Sequence, residues 1–314
     1  MPAYAPIRVS TLRGDQKISF NTYVQVAGKY ILLCREGDSF EGDRLEKLRS
    51  KKIVKMFIPE EQRKAYDAYL RENLDRAYNT SKDRPIEVRT QIIHGALQAV
   101  AEDLIESPEA ADFYRVAIDA AKRFIDFFDA ENDCLKCLIE LNNPEFSISH
   151  HGVIVAGLSL GICQELGHLK PRSDRLEPLV VGSLIHDIEH NYNHLNRSTK
   201  PIQYSKPEKN IYLKHSIAGH ERIKSHTHFD PLVRDIVLNH EESLDGLGPR
   251  GKREKEIDPF TLIAATANAF ESMLTYEKLT PRDAIKRFLI DKMGICQLES
   301  MRALQNSLKK RAII

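Results

Sequence analysis

Short apolar runs separated by turn residues dominate the first eighty positions and predict a small mixed sheet. Ile7-Arg8-Val9 reads as a short strand. Phe20 to Val26 partly alternates, Gly28-Lys29 offers a turn, and Tyr30-Ile31-Leu32-Leu33-Cys34 resumes an extended pattern, so this stretch reads as a hairpin. Leu45 and Leu48 mark a short helix. Lys55-Met56-Phe57-Ile58 gives a further strand before Pro59. A polar helix follows from about Glu60 to Tyr78, with Tyr66, Leu70 and Leu74 on one side.

The period then changes. Asn79 to Arg84 is polar and precedes Pro85, which can open a helix because its missing N–H would be unpaired there. Ile86, Ile93, Leu97, Val100 and Leu104 mark one helix. Phe113, Val116, Ala120, Phe124 and Phe127 mark the next, which runs on toward Leu138 and ends at Asn142-Asn143-Pro144. Ser147 or Ser149 caps a helix carrying His150, His151, Ile154, Leu158 and Ile162, and Gly167 ends it. Leu176 to His190 reads as one helix, with His186 and His190 on a shared face. Asn191 to Asn210 is loop-like and suits either a wall or lid over a site or a disordered excursion. Further helices cover Ile211 to Lys224, Pro231 to His240, the segment opened by Pro259, Pro281 to Leu289, and Met301 to Leu308. The fold class expected is mostly α: a small α+β domain over 1–80, then an all-helical domain over 85–314.

Composition narrows the field. With 314 residues and 42% hydrophobic positions, two domains or one large one can bury a core. A net charge of +1 gives no electrostatic case for a nucleic-acid polymer as partner. The N-terminus lacks a basic segment followed by an apolar one, and the run Gly152 to Cys163 is too short for a bilayer, so no membrane partner is expected. Five cysteines without framework spacing fit a reducing, cytoplasmic setting. Cys134 and Cys137 form a lone CxxC that reads as helix packing.

The histidines change the picture most. Of 12 in the chain, 11 fall between His150 and His240. His150, His186-Asp187, His215 and His240 form a candidate ligand shell that only a fold can gather. Taken alone, each has a plainer reading, as a core histidine or a helix cap; their co-occurrence points to metal. His151 is expected to point away from its neighbour's metal. A carboxylate with two oxygens, Asp187, can bridge two cations, and such a pair generates a nucleophile from water and steadies the oxygens of an in-line displacement at phosphorus. Without thiolate ligands the set leans toward Fe or Mn over Zn.

In chain order, Ser149-His150, His186-Asp187, His215 to Gly219, His240 to Pro249 and Ala267 to Glu271 resemble the HD-GYP domains of the wider HD phosphohydrolase superfamily, over roughly Ile148 to Ala284. The resemblance implies an all-helical domain behind an N-terminal regulatory domain. It also implies two divalent metal ions, Fe favoured and Mn or Zn next, and hydrolysis of cyclic di-GMP to pGpG or GMP. His150, His186, Asp187, His215 and His240 would be ligands, with Asp187 bridging. Asn268 stands where the family has a ligating aspartate and offers only a neutral oxygen. Ile188-Glu189-His190 replaces the family's x-Gly-Lys, and the signature Tyr is missing, since Gly248 runs into Pro249. Asp187, His190 and Lys214 are therefore the catalytic candidates, and His190, Arg250 and Lys278 the substrate-binding ones.

Two readings follow. The first is a metal-dependent phosphodiesterase for a cyclic dinucleotide or other phosphate ester, with a protein partner met through the N-terminal domain. The second is a catalytically degenerate, metal-containing module that binds a nucleotide or a protein.

Overall fold

A computed structural model describes residues 3–51, 53–79, 84–141 and 146–314. The chain divides into two compact units, residues 1–99 and 100–314. Most of the expected linker, residues 80–83, and the expected helix end at 142–144 lie outside the described residues.

In the first unit the alternating runs pair. β1 (Tyr4–Arg8), β2 (Thr22–Val26), β3 (Lys29–Cys34) and β4 (Lys55–Pro59) form an antiparallel sheet of order β1-β4-β2-β3. The β2–β3 turn is Ala27-Gly28, one residue earlier than the pattern predicts. Both turn residues have positive φ (49° and 77°), which matches the strand twist that a two-residue hairpin needs. The short helix is α1 (Arg44–Ser50) and the polar helix is α2 (Arg63–Tyr78). The sheet closes on Ile7, Val9, Ile18, Phe20, Phe40, Met56 and Ile58 as a continuous apolar core. The buried face of α2 is Tyr66, Tyr69, Asn73 and Ala77; Leu70 and Leu74 are only partly buried. Two tyrosines win that face because their hydroxyls find partners at the core edge. Tyr66 Oη shares a hydrogen bond with Thr11 Oγ1 at 2.8 Å, and Tyr69 Oη accepts from Arg13 N at 2.9 Å.

The helices continue as α3 (Ile86–Glu106), α4 (Ala111–Ala130), α5 (Cys134–Glu140), α6 (Ile148–Glu165) and α7 (Leu176–Ile185). After them come α8 (Lys206–Tyr212), α9 (His215–Ile223), α10 (Pro231–Asn239), α11 (Pro259–Glu277), α12 (Pro281–Asp291) and α13 (Leu298–Lys310). The starts follow capping chemistry: Ser147, Asp230, Asp258 and Thr280 each accept a backbone N–H of the helix they precede. The buried face of α4 is Tyr114, Ala117, Ala121, Phe124 and Phe128, whereas Phe113 and Val116, expected inward, are exposed. The four buried thiols, the CxxC pair among them, pack as free cysteines.

In the second unit α6 packs on α7, α11 and α13 and is buried from Ser149 to Cys163 without a polar face. A Cβ on Gly152 would come within 2.5 Å of the Leu184 carbonyl oxygen, so glycine is what lets α6 lie directly against α7. That approach brings the start of α6 beside the end of α7, where the histidines are.

Candidate metal centre

The helix expected from Leu176 to His190 is in fact broken. α7 ends at Ile185, His186 is its C-cap, and a 3₁₀ turn follows over Ile188–Asn191. His186 and His190 therefore do not share a helical face. The break instead turns Asp187 and His190 toward one point. His190 Nε2 lies 3.8 Å from Asp187 Oδ1. The N-terminus of α9 brings His215 to the same point, and the end of α10 brings His240.

Two donor groups result, His151–His186–Asp187 and Asp187–His215–His240, with donor atoms in each group within 4.8 Å of one another and every residue buried. Asp187 belongs to both. Its Oδ1 is 3.3 Å from His215 Nε2 and 3.5 Å from His240 Nε2, while Oδ2 is 3.7 Å from His151 Nε2. His150, expected as a ligand, enters neither group; its neighbour His151, expected to point away, does. One residue along a helix is a rotation of about 100°, and the packing of α6 selects the second histidine.

The imidazoles are oriented as ligands. Nδ1–H of His186 donates to Ser183 O at 2.8 Å, that of His215 to Tyr212 O at 2.5 Å, and that of His240 to Val237 O at 3.1 Å. His151 Nδ1–H donates to Glu271 Oε2 at 2.5 Å, and Thr275 Oγ1 holds the other oxygen at 2.6 Å. With each Nδ1 so committed, the Nε2 lone pairs face inward. They face one another: His215 Nε2 is 2.9 Å from His240 Nε2, and His151 Nε2 is 3.1 Å from His186 Nε2. Two neutral imidazoles so opposed repel at that distance, and a proton or a metal cation shared between them relieves the repulsion. The donor set fits two metal ions on these grounds. Asn268 adds a neutral oxygen. Its Nδ2 donates to Glu241 Oε1 at 3.1 Å, which leaves Oδ1 3.0 Å from His151 Nε2.

Burial alone would raise the Asp187 carboxyl, but His186, His190 and Arg197 around it hold it well below the usual carboxylate range. Burial pushes His190 down to about 3, against the pull of Asp187. His190 also differs in tautomer. Leu195 N donates to Asn193 Oδ1 at 3.2 Å, so Asn193 Nδ2 donates to His190 Nδ1 at 2.9 Å, and the His190 proton sits on Nε2, facing Asp187. Glu189, expected to add negative charge here, is held by Arg222 Nε at 2.5 Å.

The remaining expected residues stand farther out. Lys214 and Lys278 are exposed, Lys278 in a left-handed cap after α11. Arg250 is exposed, and its Nη1 donates to Asn239 Oδ1 at 2.9 Å. A cleft of about 410 Å³ opens beside His240 and Asn268. Tyr212, Met273 and Tyr276 form part of its wall, and its lysines are Lys200 and Lys292. Sequence reasoning missed His151, Glu241, Glu271 and Arg197. The spacing of Asn268 and Glu271, three apart on one helical face, was a readable signal for Glu271; Arg197, in an aperiodic polar segment, gave none.

The HD domain family profile matches residues 148–273. The structure of Bd1817, a HDG"Y"P protein from Bdellovibrio bacteriovorus, shares 38% identity with this chain, covering 98% of it and 100% of that chain, with a TM-score of 0.89. This chain belongs to the HD-domain/HD-GYP superfamily. Two structures of the HD domain of the phosphodiesterase PgpH from L. monocytogenes, one in complex with cyclic-di-AMP, are each 18% identical. Each covers 55% of this HD-domain protein, and 98% and 99% of those chains, with TM-scores of 0.38 and 0.35. No curated protein matches it. The superfamily is one of metal-dependent phosphohydrolases, and the paired donor groups around Asp187 are consistent with a binuclear site of that kind. Among the described residues, no helix is long and apolar enough to cross a membrane.

Proposed function

We propose that this protein is a metal-dependent phosphodiesterase and that cyclic di-GMP is its leading substrate. The observation that carries the reading is the pair of facing imidazole couples sharing Asp187, whose opposed nitrogens are placed to hold a cation between them. His151 and His186 would hold one ion, His215 and His240 the other, and Asp187 both, with Asn268 completing the first shell. Iron is favoured, then manganese, then zinc.

Bound there, the ions would supply an activated water and Lewis acidity toward the phosphate oxygens. The chain's own residues do the rest. Glu271 and three backbone carbonyls lock the ligand tautomers. His190 presents an Nε2–H toward the centre and, being neutral, would donate a hydrogen bond to a phosphate or leaving oxygen without giving up its proton. Tyr212 and Tyr276 offer aromatic faces for a base in the cleft, and Lys200 and Lys292 offer charge to a second phosphate. Residues 1–80 are the regulatory part in this reading, and a protein is their candidate partner.

A second reading has its own support. A neutral Asn268 in place of a carboxylate, and Glu189-His190 in place of Gly-Lys, would suit a module that binds a nucleotide without turnover. Metal analysis of protein purified without chelator and protected from air, followed by incubation with cyclic di-GMP and cyclic di-AMP, separates the two. About two ions per chain with product formation supports the enzyme. Two ions with tight binding and no product supports the module. A metal-free protein that cannot be loaded with iron or manganese sinks both.

A further inference from the structure

The segment after the 3₁₀ turn carries one side chain that the metal centre does not explain. Arg197 Nη1 donates to Asp187 Oδ2 at 3.1 Å, and its Nε donates to Phe146 O at 3.1 Å. These contacts place a guanidinium against the carboxylate that both donor groups share. Burial would disfavour its charge, but the Asp187 carboxylate favours it, and a guanidinium stays protonated. A permanent cation beside two cation-binding groups is electrostatically costly. With both ions in place, the carboxylates of Asp187, Glu241 and Glu271 would not balance the local charge, and Arg197 adds to the excess. An anion bound at the centre would restore the balance.

The guanidinium has donors left for one. A guanidinium has five N–H donors in a fork that matches phosphate, and the two contacts above use only two of them. Fifteen per cent of the Arg197 side chain is accessible, and the chain continues from it as Lys200, Pro201 and Ile202 along the cleft wall. Phe146, whose carbonyl anchors Nε, stacks on Tyr276 of the same cleft at 5.8 Å. The basic residues expected from the sequence to meet a phosphate do not touch Asp187: Lys214 and Lys278 are exposed, and Arg250 is tied to Asn239.

We propose that Arg197 is a phosphate-binding and positioning residue. One arm of its fork fixes Asp187, and the other takes a non-bridging oxygen of the phosphate ester held over the metals. This rests on the phosphohydrolase reading, and the test separates the two. Unmodified protein, Arg197→Gln and Arg197→Lys are loaded with manganese. Metal per chain is measured, then binding of inorganic phosphate by calorimetry, then kinetics on bis(p-nitrophenyl) phosphate. Both variants are expected to keep their metal. Arg197→Gln should lose at least about tenfold in phosphate affinity, the worth of one charge-assisted hydrogen bond, and show a raised KM. Arg197→Lys should recover part of both. Unchanged phosphate affinity in a metal-loaded Arg197→Gln overturns the proposal and leaves the phosphohydrolase reading standing. So does metal loss in both variants without a change in phosphate affinity per loaded centre, because Arg197 would then only orient Asp187. Higher metal occupancy in Arg197→Gln overturns it too, by making Arg197 a competitor of the ions. An unmodified, metal-loaded protein that binds no phosphate removes this proposal and the phosphohydrolase reading together.

Discussion

The two units differ in what stands at the middle of their apolar interiors. In residues 1–99 the core is aliphatic and aromatic, from Phe20 and Phe40 to Met56 and Ile58, and its tyrosine hydroxyls are paired at the edge. In residues 100–314 the centre buries the imidazoles of His151, His186, His190, His215 and His240 with Asp187, Glu271 and Asn268. The first interior gains by leaving water. The second has a large apolar core as well, from Phe124 and Phe128 to Phe270 and Phe288, and adds a polar centre whose stability depends on what occupies it, since binding free energy at a metal site becomes folding free energy. One unit is thus stable by composition alone and the other partly by occupancy.

Four changes test that contrast, in decreasing order of effect. Asp187→Ala should release most of the bound metal and leave Arg197 as an unpaired buried cation, costing about 3–5 kcal/mol. Elemental analysis with thermal unfolding checks both, and a variant that keeps its metal would break the picture. Phe20→Ala should cost about 3–5 kcal/mol through its cavity while metal content stays as it was. Chemical denaturation beside metal analysis reads the two separately, and joint loss would mean the interiors are not independent. Glu271→Gln removes the charged acceptor of His151 Nδ1–H and should weaken metal binding by about 10- to 100-fold without unfolding the protein; competition with a chelator measures it.

The smallest effect concerns Cys296, which lines the cleft. Burial pushes its thiol up to about 11, so the neutral form is favoured in the fold and the reactive thiolate appears only at higher pH. Alkylation at pH 8 should run roughly ten- to a hundredfold slower than for a free cysteine and rise as pH approaches 11. A rate like that of a free thiol would show that the cleft is wetter than its lining implies.

How much of this was legible depends on whether a residue's place is set locally. Strand alternation, Ser147, Asp230 and the prolines at 231, 259 and 281 are local signals, and the elements formed where they point. His186, Asp187, His215 and His240 were visible because adjacent or helix-terminal residues carried them. The choice between His150 and His151 was not, because α6 is apolar on every side and has no stripe to fix its rotation. The break after Ile185 was hidden for the same reason, as α7 is buried all round. Phe113 and Val116 were misplaced by one position on α4, where Tyr114 takes the interior and its hydroxyl oxygen accepts from Asp230 N at 3.0 Å. Arg197 acts across ten residues of aperiodic chain, and only the fold brings it to Asp187.

Asp187 belongs to both donor groups, so two ions held by them would not bind independently. The first to arrive would draw charge from the carboxylate that the second needs and place a like charge nearby. Loading would then follow two separated affinities, with a half-filled protein populated over the range of metal availability between them. On the phosphodiesterase reading, the supply of the second ion, through one shared side chain, would set how much of the protein can work.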